Sequence, residues 1–157
     1  MGPITKSLLR LQEIETELYT LRQSQAARSR SVASQERKLQ QLQKQVEQKT
    51  DQIKHMQAEA SNQELDLKTQ ESEIGKLRNA LNTAKNNKEY AAILTEINSD
   101  KADSARLEER ILALLAEIDQ MRTECTQARE DIQKNQAKLQ SLQKELEQEQ
   151  ARGAERA

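Results

Sequence analysis

The stretch Leu77-Arg78-Asn79-Ala80-Leu81-Asn82-Thr83-Ala84-Lys85-Asn86-Asn87-Lys88-Glu89-Tyr90-Ala91-Ala92-Ile93-Leu94-Thr95-Glu96-Ile97 decides the fold, because a heptad repeat changes phase inside it. Every seventh residue from Ile4 to Leu81 reads Ile, Leu, Leu, Gln, Val, Leu, Val, Ile, Ala, Leu, Ile, Leu. Three residues on in each heptad come Ile14, Leu21, Leu42, Met56, Leu77 and Ala84, with Arg28, Gln35, Lys49, Gln63 and Gln70 among them. These are the two seam positions of a coiled coil. A second seam follows through Tyr90, Ile93, Ile97, Leu107, Ile111, Leu114, Ile118, Met121, Cys125, Ala128, Ile132, Leu139, Leu142 and Leu146. Continuing the first register would set apolar residues at 88 and 95, yet they stand at 90 and 97. A continuous coiled coil absorbs insertions of three or four residues by local winding, not of two. The chain must turn.

The expected architecture is a single all-α domain over 1–157, a long antiparallel coiled-coil hairpin with the form of an elongated rod. Its first helix covers about 3–84, its turn 85–89, its second helix about 90–150, and a frayed tail 151–157. Pro3 suits a first helical turn, where its missing N–H is not needed. Asn86 with Glu89 three residues later makes a variant of the capping box, and Asn also tolerates a left-handed backbone. Gly75 weakens the first helix and permits a local bend, while Gly153 reads as a C-terminal stop. If Ala84 faces Tyr90, facing positions have numbers that sum to about 174. Leu81 then meets Ile93, Leu67 meets Leu107, Ala60 meets Leu114, and Met56 meets Ile118. Polar seam residues coincide as well, Gln70 with Ser104 and Gln25 with Glu149.

The composition fits long helices rather than a globular core: 32% charged, no Phe or Trp, one Pro and three Gly. A net charge of −1 argues against a general nucleic-acid or membrane-surface binder. Arg10, Glu13, Glu15 and Glu17 interrupt any signal-peptide core, and no apolar run approaches a membrane span. A single Cys excludes an intrachain disulfide. The expected location is cytoplasmic.

Three surfaces are candidates for function. Under the pairing rule Leu146 meets Arg28, so the second helix runs out of apolar residues there. Ile4, Leu8, Leu11, Ile14, Leu18 and Leu21 are then left without a partner, as an apolar interface at the open end. The turn residues Lys85, Asn86, Asn87, Lys88 and Tyr90 form an Asn-rich tip, suited to recognition or simply to closing the turn. Arg22, Arg28, Arg30, Arg37, Lys38 and Lys44 form a basic patch. Glu130, Asp131, Glu145, Glu147 and Glu149 of the returning helix lie beside that patch, and no aromatic is interleaved to stack bases. His55 reads as a surface residue, Cys125 as a small buried thiol in the seam, and Glu108 and Glu109 as solvated charges. No catalytic, cofactor or metal constellation is expected.

The string Lys85-Asn86-Asn87-Lys88-Glu89-Tyr90, followed by Ala91-Ala92-Ile93-Leu94-Thr95-Glu96-Ile97, resembles the turn of the bacterial coiled-coil-hairpin and zinc-ribbon proteins. The resemblance implies a kinked helical hairpin over the whole chain. It also implies a role as a chaperone-like adaptor in flagellar or type III secretion, or as a nucleic-acid-binding protein. That family carries zinc on a four-cysteine ribbon. With Cys125 alone there are no Cys-x-x-Cys knuckles here, so zinc is expected only where such a ribbon follows the hairpin. The leading expectation is a non-enzymatic scaffold or chaperone-like adaptor that binds protein partners, itself included as a homodimer. A self-associating structural rod comes next, and nucleic-acid binding through the patch at 22–44 last.

Overall fold

A computed structural model describes residues 2–156, and side-chain burial for 2–154. The chain is a helical hairpin: α1 spans Pro3–Asn82 and α2 spans Asn87–Arg156, the two pack against each other, and there is no strand among the described residues. The all-α reading holds.

The boundaries differ from those expected. α1 stops at Asn82 rather than 84, and the turn is 83–86 rather than 85–89. Thr83 and Ala84 donate back to Ala80 and Leu81 at 3.2 and 3.3 Å, closing α1 with three-residue bonds. Asn86 is the N-cap of α2. Its Oδ1 accepts the Glu89 N–H at 2.8 Å, and its carbonyl accepts the Tyr90 N–H at 3.0 Å. Glu89 reaches back to the Lys85 N–H at 3.3 Å, which completes the box one residue further out than the standard form. No described residue has a positive φ, so Asn86 serves the turn by capping and not by a left-handed backbone. At the other end the expected frayed tail is helical through Arg156; Ala157 lies outside the described residues. Gly153 is therefore no helix stop.

The chain divides into two compact units. The first contains 47–126 and the turn. Its buried residues are Ala60, Ile74, Ile97, Ile111, Ile118, Cys125 and the polar Ser104. Ser104 Oγ donates to Gln70 Oε1 at 3.1 Å, on the expected pairing, and Lys49 pairs with Glu124 at 3.6 Å. Tyr90, expected in the seam, is instead 48% exposed, because the seam closes only from Ile93 onward.

The second unit joins 1–46 to 127–157, and its interior is more polar. Leu39, Gln35 and Glu149 are buried there, while Val32, Leu42, Ile132, Leu139, Leu142 and Leu146 are half-buried. Gln35 Nε2 donates to Asn135 Oδ1 at 2.8 Å and to its carbonyl at 3.2 Å. Two helices alone bury one stripe each, so a polar seam residue must find its partner across the pair or remain unsatisfied. Each of these does.

Candidate functional site

The open-end stripe belongs to the unit built from 1–46 and 127–157. It is α1 before α2 reaches it, and it continues the same heptad that buries Leu39. Ile4 is 77% exposed, and Leu8, Leu11 and Ile14 are exposed after it. Leu9 and Tyr19 are exposed on other faces of the same helix.

The stripe is shorter than expected. Leu18 and Leu21 are half-buried and do not stand in open solvent. For Leu21 the reason is Gly153. A Cβ built at that position would lie 3.3 Å from Leu21 Cδ2 and 2.8 Å from Gln25 Nε2, so the bare glycine lets α2 close on α1 beyond Leu146. The correction follows from chemistry. A helix without large apolar residues can still cover one on its neighbour, provided its own backbone comes close.

A polar clasp holds this end of α2. Gln25 Nε2 donates to the Glu149 carbonyl at 3.2 Å. Arg28 Nη1 donates to Glu145 Oε2 at 2.9 Å, and Arg28 Nε is ion-paired with Glu149 Oε2. The Glu149 side chain is only 11% exposed, and Arg28 is the cation paired with it.

Arg28 therefore drops out of the basic patch, since its guanidinium is committed across the hairpin. Arg22, Arg30, Arg37, Lys38 and Lys44 are exposed and form no ion pair among the described residues. Of the acids expected to neutralise the patch, Glu145 and Glu149 are taken by Arg28, while Glu130, Asp131 and Glu147 pair with none of these bases. Glu36 accepts from Gln143 at 3.4 Å.

At the tip, Lys85, Asn86, Asn87 and Lys88 are exposed together. Asn87 and Lys88 are the first residues of α2, with Asn86 and Glu89 occupied in the cap. His55 is exposed and Cys125 buried. A zinc ribbon needs four ligands. The chain has one cysteine, and no group of three or more His, Cys, Asp or Glu among the described residues is placed to hold a metal. The residues present do not fit that ion.

Asn135 and Gly153 were missed as contact residues by the sequence reading. Asn135 had a signal, since it fills the heptad position between Ile132 and Leu139, opposite the polar stretch of α1 around Gln35. Gly153 had none, because a glycine near a helix end reads as a stop.

Fold and surfaces together define a two-helix coiled-coil hairpin with an apolar stripe outside its own seam. No family model, curated protein or solved structure matches the chain. Among the described residues no helix is long and apolar enough to cross a membrane.

Proposed function

We propose that the chain is a non-enzymatic coiled-coil scaffold of the adaptor kind, which works by offering the stripe Ile4–Leu8–Leu11–Ile14 to a protein helix. The observation that carries the reading is the exposure of these residues in phase with the buried seam. A helix laid on them would continue a packing mode the chain already uses. Covering each side chain contributes about 1.5–3 kcal/mol, enough in sum to offset the entropic cost of association. The non-enzymatic part is supported by the scatter of the titratable groups. His55 faces solvent, Cys125 is buried, and the carboxylates lie on solvated helix faces or in ion pairs.

A photo-crosslinking residue at Leu11, activated in cells that make the chain, tests the proposal. The expected result is a covalent protein adduct that disappears when Leu8 and Ile14 are both changed to Glu. An adduct that survives this double change, or no protein adduct, would overturn it.

A further inference from the structure

We infer that the occupant of the stripe is a second copy of this chain, laid antiparallel along residues 4–21. The inference rests on the reading of the stripe as an interface and names the partner.

Direction comes from what already fills the groove. α2 lies in the seam of α1 as far as Leu21, where Gly153 abuts it. A second α1 running in the same direction would meet α2 in that groove. One running in the opposite direction leaves past Ile4, and only its first residues meet the last turns of α2, at Leu21.

Antiparallel coiled coils set the first seam position of one helix against the second of the other. About a two-fold axis, Ile4 of each copy then faces Leu21 of the other, Leu11 faces Ile14, and Ser7 faces Leu18. Charge follows the same axis. Lys6 and Arg10 precede Leu11, whereas Glu13, Glu15 and Glu17 follow it. Reversing the second copy lays the basic half of the segment on the acidic half. Arg10, exposed on the flank of the seam, comes beside Glu17 of the other copy, twice over. A parallel pair would instead bring Arg10 beside Glu15, so charge reversal separates the two orientations.

The arrangement makes the last turns of α2 a competitor. Residues 151–154 set the bare Gly153 against Leu21, a poorer cover than the Ile4 that would replace it. The Arg28 and Gln25 hydrogen bonds and ion pairs hold α2 as far as Glu149, and the residues beyond it are the part that would have to yield.

The test is light scattering and sedimentation of the full chain at high micromolar concentration. Wild type should be dimeric. Arg10→Glu alone and Glu17→Arg alone should each weaken the dimer by about tenfold or more. An equimolar mixture of the two variants should restore it, because the reversed charges meet each other and the native ones meet each other. Gly153→Leu should tighten it by forcing α2 off Leu21. A monomeric wild type overturns the inference, as does a mixture no tighter than its components. A monomer whose Leu11 crosslinks to a different protein overturns self-association and leaves the scaffold reading standing. A monomer with no adduct overturns both.

Discussion

Gln35 and Asn135 meet inside the hairpin, amide to amide at 2.8 Å, with Gln35 only 6% exposed. The Gln35 nitrogen also reaches the Asn135 carbonyl, and Asn135 Nδ2 donates to Asp131 of its own helix at 2.7 Å. A seam apolar throughout would slide by a heptad at little cost, whereas this pair is satisfied in one register. Gln35→Leu should cost about 1–3 kcal/mol, because it strands a polar group in the seam. Changing both Gln35 and Asn135 to Leu should restore stability or raise it, while loosening the register. Urea unfolding followed by circular dichroism measures the first effect. Disulfide trapping between cysteines placed at 32 and 142, and at 25 and 142, measures the second.

Arg28 and Glu149 give a prediction of another kind. Arg28→Ala removes the cation from a carboxylate that is nearly buried, which is costlier than losing a surface pair. Arg28 is itself 42% exposed, so solvent and salt screen part of the effect. The loss should be about 1–2 kcal/mol, and local to that end. Amide exchange should speed up over 143–156 and stay unchanged over 47–126, and adding salt should shrink the difference between variant and wild type.

The hairpin was legible because period and phase are properties of residue order alone. A two-residue slip between seams has one physical resolution, and the Gln70–Ser104 bond lies on the pairing the sequence implies. What escaped the reading depended on distances. A glycine's close approach exists only between helices, so Leu21 appeared unpartnered until Gly153 was seen against it. Arg28 likewise looked like one base among six, since nothing in the order of residues says that Glu145 and Glu149 both reach the same guanidinium. The exposure of Ile4, Leu8, Leu11 and Ile14 was readable, because it follows from where the apolar residues of α2 run out.

The tip separates structure from recognition. Asn86→Ala removes the cap on Glu89 N–H and should cost about 0.5–2 kcal/mol. Changing Lys85 and Lys88 to Glu keeps that cap and places acid at the positive end of α2, which is neutral or slightly stabilising. If the tip recognises an acidic partner, the double Lys variant should lose binding with its melting temperature unchanged. Unchanged binding would assign the tip to turn closure alone.

The two interior glycines make opposite predictions from one substitution. A Cβ at Gly75 meets nothing within 4 Å, so Gly75→Ala adds helix propensity and restricts the unfolded chain without a clash. It should stabilise by about 0.4–1 kcal/mol. At Gly153 the same Cβ falls 2.8 Å from Gln25 Nε2. That amide ends a flexible side chain and can move, but moving gives up its bond to the Glu149 carbonyl, about 1 kcal/mol. The Leu21 contact at 3.3 Å tightens as well. The propensity gain is thus cancelled or reversed, and Gly153→Ala should leave stability unchanged or lower it. Urea unfolding of both variants, with amide exchange read at 146–154, decides the matter. A Gly153→Ala chain as stabilised as Gly75→Ala would mean that α2 does not close on Leu21 in solution.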